Sequence, residues 1–265
     1  MATSTALRLE GRDTLALLHR TTTNALDDMK AGEARATLFC DFRGRLLHRA
    51  VVALTRDGAV WLLRDDAPGP GLAAAIDRVV FRDDVRIEDR SDELPVVLAL
   101  APLGAAAGVD EAGAVPREVR TGDGLALVIG GGEAISEVAR IARLHPRHGH
   151  EIVDAFNPFE VGLAREVHLA KGCFTGQEAL QRLITYDSVR RRPAVVRLGG
   201  PAPALPCDVL ASGERAGVLT SAAGGDGLAI LRRDVLDQDV PLTLAGGAPI
   251  AVVAAPEPAR PLGRP

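Results

Sequence analysis

The sequence predicts an α+β fold: antiparallel sheets with packed helices forming a pocket region, followed by a small C-terminal β-barrel-like domain. Three observations carry this. Residues 34–63 read as strand-like runs separated by tight turns, an antiparallel meander. Segments with helical spacing of apolar residues recur on both sides of it, up to Ile184. From Val195 onward, short apolar runs alternate with glycine turns, the pattern of a small barrel or sandwich.

Along the chain, Met1 to Ser4 leads into a polar helix start, and Asp13 is placed to cap a helix reaching about His19. The run Thr21-Thr22-Thr23-Asn24 reads as a turn or second cap, with Ala25 to Met29 as a short helix and 30–33 as a turn. Strands follow at Ala34 to Phe39, Arg45 to Leu54 and Ala59 to Leu63, joined by turns at 41–44 and 56–58. Gly71 to Val80 reads as a helix, Val85 to Glu88 as an alternating strand, and Leu94 to Leu100 as a buried strand. Gly104 to Val109 reads as a short helix, Leu125 to Ile129 as a strand, and Ser136 to Leu144 as a helix halted by Pro146. The expected division is 1–192 for the pocket region, itself two intertwined subdomains, 193–255 for the barrel-like domain, and 256–265 as a frayed, Pro- and Arg-rich tail.

At 265 residues and 47% hydrophobic composition the chain is globular, with a core built from Leu, Val, Ala and Ile because aromatics are scarce. A formal net charge of −4 argues against a general nucleic-acid binder, so direct DNA binding is not expected. The cysteines, at 40, 173 and 207, are odd in number and far apart, which excludes a disulfide framework and a CxxC pair. With no secretory h-region and no uncharged run of spanning length, the expected setting is the reducing cytoplasm, away from membranes.

The run Lys171-Gly172-Cys173-Phe174-Thr175-Gly176-Gln177-Glu178 carries the most chemistry. Thr175 and Glu178 have capping-box spacing, and Ala179 to Ile184 continues as a helix. Cys173 then stands before a helix N-terminus and beside Lys171, both of which favour a thiolate. Such a thiol serves as nucleophile, redox partner or soft-metal ligand; the alternative is a small apolar core residue. Glycines at 172 and 176 favour the functional reading, because they signal a tight backbone path or a close approach.

Other features are weaker. His145, His148 and His150 lie close in sequence but lack zinc-motif spacing and read as a solvated loop, so no metal is assigned. Gly130-Gly131-Gly132 lacks the partners of a phosphate loop and reads as a flexible turn. Arg190-Arg191-Arg192 reads as a solvated run or as a contact for a polyglutamate tail, a phosphate or RNA.

The string KGCFTGQE resembles the signature of the YgfZ/IBA57 group, the folate-binding relatives of the glycine-cleavage T-protein (aminomethyltransferase). Gly11-Arg12-Asp13 with 18–24, Arg43-Gly44-Arg45-Leu46, Gly149-His150-Glu151-Ile152, Asn157 to Leu163 and the arginines at 190–192 resemble further elements of that group, so the likeness covers most of the chain. It implies a pocket in a central channel with Cys173 near it, Lys171 tuning that thiol, and Thr23, Asn24, Glu160, Gly172, Gly176, Gln177 and Glu178 around a ligand. The implied ligand is tetrahydrofolate. The implied role is accessory to iron–sulfur cluster assembly or repair, with client or assembly proteins as partners and a link to tRNA modification. The alternatives are a folate-dependent aminomethyl transferase and a non-catalytic binding module in which Cys173 is structural.

Two departures bear on these implications. The T-protein enzymes carry an acidic pair, one member of it catalytic, where this chain has His48 and Arg49, so the general base of aminomethyl transfer is absent. Relatives often carry a pterin-binding glutamate where this chain has Ala142, which predicts weakened folate binding.

Overall fold

The computed structural model describes residues 3–238 and 240–263. The first half is built on two antiparallel sheets stacked face to face. Strands β1 (Thr5–Glu10), β2 (Ala34–Cys40), β3 (Leu46–Leu54), β4 (Val60–Arg64) and β5 (Arg86–Asp89) form a five-stranded sheet in the order β2-β3-β4-β1-β5. Helices α1 (Thr14–Thr21) and α2 (Gly69–Asp77) cover one face, with Leu7, Leu9, Val52, Leu62, Leu17 and Ile76 in one core. The other face, with Val51, Ala53, Trp61 and Leu63, packs on Val96, Leu98, Leu125 and Leu127 of the second sheet. Because the central strands are buried on both faces, 50–54 and 59–63 read as continuous apolar runs instead of alternating ones.

The second sheet has the order β6-β9-β8-β7, from β6 (Val96–Leu100), β7 (Gly108–Ala112), β8 (Val115–Arg120) and β9 (Leu125–Ile129). Helix α3 (Glu137–Ala142), capped by the Ser136 hydroxyl accepting from the Ala139 N–H, crosses to the C-terminal half. A long loop with one 3-10 turn at Ala164–Glu166 leads to α4 (Gln177–Thr185). The remainder is a closed antiparallel barrel, β10-β13-β12-β11-β14-β15, from β10 (Arg191–Leu198), β11 (Cys207–Ala211), β12 (Glu214–Ala223), β13 (Asp226–Arg232), β14 (Leu242–Leu244) and β15 (Pro249–Ala254), with the short α5 (Arg233–Asp237) between β13 and β14. Closure leaves no unpaired edge. Leu38 and Leu46 from the first sheet, Phe156, Phe159, Phe174 and Leu180 from the loop and α4, and Val195, Val218 and Ile230 from the barrel share one core that joins the halves.

The α+β reading with a terminal barrel therefore describes the molecule. Several local expectations differ. Residues 5–10 form a strand, pairing with β4 and β5, where a polar helix start was expected. Residues 25–29 are not helical: the His19 ring accepts from the Leu26 and Asp27 N–H groups, and Asn24 Oδ1 takes the Ala25 N–H, so these donors leave the helical ladder. The expected helix at 104–109 is replaced by a turn and the start of β7, whose Val109 N–H bonds the Gly32 carbonyl. The tail is anchored where it is described. Leu262 donates to the Val167 carbonyl and accepts from Leu169, and Pro261 is buried; the frayed-tail expectation fails up to Gly263, while 264–265 lie outside the described residues.

Candidate functional site around Cys173

The signature run is a loop followed by α4. Gly176 caps that helix at φ +83°, in left-handed conformation, and a Cβ there would lie 2.5 Å from the Asp41 carbonyl oxygen. This glycine is what allows the 41–44 turn to sit on the first turn of α4. The capping box does not form. Thr175 lies outside the cap, no side chain caps the helix, and Glu178 pairs forward with Arg182. Gln177 instead donates from Nε2 to the Leu169 carbonyl at 2.9 Å. Leu180, Leu183 and Ile184 turn the helix onto the joining core.

Cys173 is exposed on this loop, next to Gly172 at φ +108°. It stands ahead of the N-terminus of α4, as read from the sequence, although the cap is Gly176 and not Thr175. Cys40 is the opposite case: burial, with Asp41 adding, pushes its thiol far up and makes it inert. Cys207 is partly buried and directs its thiol to the Asp208 carbonyl.

Lys171, one of two lysines in the chain, is held from several sides. Its ammonium donates to the His19 carbonyl and lies 4.9 Å from the centre of the Phe174 ring. Its own carbonyl accepts from His19 Nε2 at 2.8 Å. The backbone N–H groups of Leu26 and Asp27 donate to His19 Nδ1 at 3.1 and 3.2 Å, which puts the ring proton on Nε2. Burial draws the Lys171 pKa down to about 8, against the opposing charges of Asp27 and Cys173. A cation of reduced basicity is thereby fixed in the electrostatic field of an exposed sulfur.

The other expected ligand residues are used by the protein itself. Thr23 Oγ1 donates to the Glu166 carbonyl and accepts from the Leu38 N–H. Asn24 Nδ2 donates to the Ala36 carbonyl while its Oδ1 caps Ala25. Glu160 accepts from Arg191 Nε and Nη2 at 2.7 and 3.0 Å and from the Asn157 N–H. These residues fix the loop geometry and leave little for a ligand.

A polar cluster that sequence reasoning missed lies between the first sheet and the loop. Arg49 donates to both Glu166 oxygens at 2.7–3.0 Å and lies 3.2 Å from His145 Nε2. Burial opposes the Arg49 charge, but Glu166 more than reverses this and raises its pKa. Burial, helped by Arg49 and Arg140, holds His145 well below the usual histidine range, so it is neutral. His48 stacks on His148 with ring centroids 5.5 Å apart, and burial followed by Arg64 lowers its pKa to about 4. Asp65 is raised to about 6 by burial and by Asp66. The solvated-loop reading of the histidines thus fails: His145 is partly buried against Arg49, and His150 bonds the Thr220 carbonyl.

Residues 190–258 match the family model of the CAF17 C-terminal beta-barrel domain. The chain carries a CAF17-type barrel. The Arabidopsis thaliana protein named "Putative transferase At1g60990, chloroplastic" is 35% identical over 94 residues, which span 36% of this chain and 22% of that protein. The glycine cleavage system aminomethyltransferase T from Bartonella henselae matches with a TM-score of 0.75 over 96% of this chain and 83% of its own, at 15% identity. The protein therefore has the T-protein fold with a CAF17-type barrel, in accord with the resemblance to the YgfZ/IBA57 group.

Within that fold, neither residue at the acidic-pair positions acts as a strong base. Arg49 is closed on Glu166, and His48 binds a proton only near pH 4. Asp65 supplies a carboxyl beside Arg49, but the cavity there is about 10 Å³, room for one water at most. A larger cavity of about 300 Å³ is lined by Arg49, His145 and Glu166, whose carboxylate is already occupied by Arg49. A pterin ring needs a free acceptor pair for its N–H groups, and these residues do not offer one. Ala142 lies exposed on α3, while its neighbour Arg140 is buried on Glu151; the deficit expected from Ala142 is not a hole in a buried pocket. Among the described residues, no helix is long and apolar enough to cross a membrane.

Proposed function

We propose that this protein is an accessory factor for the assembly or repair of iron–sulfur enzymes, with Cys173 as its working thiol. One observation carries the reading: the exposed sulfur of Cys173 stands on a loop fixed by His19, Gly176 and the 167–169 pairing, beside the Lys171 ammonium, whereas Cys40 is sealed in the core. Cluster iron is bound by thiolates, and an exposed thiol on a fixed loop next to a cation can hold cluster iron as cargo while a client accepts it. The CAF17-type barrel and the T-protein fold support the same assignment.

In this reading the partners are iron–sulfur client or assembly proteins, in a reducing compartment, with the tRNA-modifying enzymes that carry such clusters among the clients. Tetrahydrofolate enters as a weak ligand, because Thr23, Asn24, Glu160 and Glu166 have committed their polar groups. Aminomethyl transfer is disfavoured by the Arg49–Glu166 closure.

The test is the activity of several iron–sulfur enzymes in a strain lacking the gene, with and without oxidative stress. The proposal expects a shared loss that the wild-type gene restores. Normal activity of all of them under stress contradicts it.

A further inference from the structure

We propose that the cleft between the 186–190 linker, the 157–160 turn and strand β12 binds a small phosphorylated molecule with an apolar or aromatic body, a ligand of the mononucleotide type. Neither Lys171 nor Cys173 lines this cleft, and the proposal does not depend on the chemistry proposed for Cys173.

Its basic part is a cavity of about 410 Å³ lined by Arg45, Arg190, Arg191, Arg215 and Arg232, with Glu160 as the acid in its lining. The pairing of these groups leaves a surplus. Arg191 holds Glu160 through both oxygens, and Arg45 stands 3.7 Å from the same carboxylate. Arg215 pairs with Asp208, and Arg232 with Asp234. The Arg190 side chain has no hydrogen-bond or ion-pair partner among the described residues, and it is exposed. Glu214 also acts on the Arg232 charge, so five guanidiniums face four carboxylates, a surplus of one positive charge centred on the unpaired Arg190 in a chain whose net charge is −4. A phosphate monoester carries about −1.5 to −2 at pH 7 and presents tetrahedral oxygens that guanidinium forks match.

The apolar part adjoins it. A second cavity, of about 540 Å³, shares Arg191, Arg215 and Val218 with the first and is walled by Val153, Phe156, Leu205 and Pro206. The Arg191 guanidinium lies 5.1 Å from the centre of the Phe156 ring, so one side chain belongs to both the charged and the apolar wall. Both volumes fall in the range of small-molecule sites. Two adjoining open clefts, one lined by arginines and one apolar, on a chain of net negative charge favour a small molecule with both characters over a polynucleotide, which a continuous basic track would serve.

The experiment is titration calorimetry of the full chain with ADP, adenosine, inorganic phosphate, 5-formyltetrahydrofolate and a short single-stranded RNA. The expected result is binding of one ADP per chain, weaker binding of phosphate and no binding of adenosine. Arg190→Ala, at an exposed residue without partners, should keep the circular dichroism spectrum and weaken ADP by about tenfold, as loss of one charge-assisted contact does. Arg215→Ala should do the same. Absence of ADP binding, or ADP binding unchanged in both variants, overturns the proposal. RNA binding without ADP binding overturns it in favour of a polynucleotide surface. Tighter binding of the folate, lost in Arg190→Ala, overturns it in favour of a dicarboxylate tail.

Discussion

The imidazole of His19 donates from Nε2 to the carbonyl of Lys171 at 2.8 Å, and the ammonium of Lys171 donates back to the carbonyl of His19. Helix α1 and the signature loop, 152 positions apart in sequence, are joined by this reciprocal pair. The pair fixes the backbone from which Cys173 projects and draws a lysine partly out of water. Its consequence is measurable in Lys171 itself.

Reductive ¹³C-methylation of the protein gives signals from only two lysines, at 30 and 171, besides the N-terminus. One lysine signal should titrate near pH 8, and it should vanish in Lys171→Arg. The folded pKa lies below the ordinary lysine value, so between about pH 8 and 10.5 the unfolded chain binds the extra proton. Stability associated with this residue therefore rises with pH across that window. A Lys171 signal titrating only above pH 10 contradicts the burial seen here.

Gly176→Ala should destabilise the protein by about 2 kcal/mol or more, since the new side chain meets a positive φ and a carbonyl at once. Thermal unfolding measures the loss. Gly172→Ala meets the positive φ alone, with open space around it, and should cost less. Equal effects of the two would mean that the Asp41 turn does not press on α4.

The Arg49–Glu166 pair should be costly to break and cheap to replace. Glu166→Ala leaves a largely buried guanidinium without its acceptor, an expected loss of about 3–5 kcal/mol. The double variant Arg49→Met with Glu166→Leu should recover most of that. Denaturant unfolding of both settles the point: a double variant as unstable as Glu166→Ala would show that packing, not charge, is at stake.

Asp65 has the opposite sign from most carboxylates. Its folded pKa, about 6, exceeds the ordinary aspartate value of 3.8, so in that window the folded chain binds the extra proton. Its contribution is most favourable below the unfolded pKa and is lost as pH rises to about 6. Asp65→Asn should therefore stabilise the protein at pH 7 by about 1–2 kcal/mol, after discounting for partial exposure, and should leave stability near pH 4 little changed. Lower stability at pH 7 in this variant would contradict the assigned shift.

Much of this architecture was legible because strands and turns carry local signals. The 34–63 meander and the barrel could be read from apolar runs and glycine turns, and both are present. Residues 5–10 escaped because Leu7 and Leu9 alternate with charged residues over too short a span to be distinguished from a helix start. Residues 25–29 have helix-compatible composition; what prevents the helix is a ring nitrogen from His19, a tertiary contact. The tail reads as frayed until Leu262 pairs with the loop backbone at 167–169. At the site, the signature marked Lys171 and Cys173 through residue type alone. The His19 clasp and the Arg49–Glu166–His145 cluster join positions 96 to 152 residues apart and leave no local pattern. The departure at His48 and Arg49 was visible, but not that Glu166 closes on it.

The central claim is that Cys173 does the work, and rescue by paired cysteine variants tests it most directly. In a strain lacking the gene, iron–sulfur enzyme activities are measured after expression of Cys173→Ala or Cys207→Ala at matched protein levels. Cys207 lies at the start of β11 on the barrel, away from the signature loop, and its replacement should rescue like the wild type. Cys173→Ala should rescue poorly or not at all. Full rescue by Cys173→Ala would contradict the account and leave the fold and its cleft, not the thiol, as the source of function.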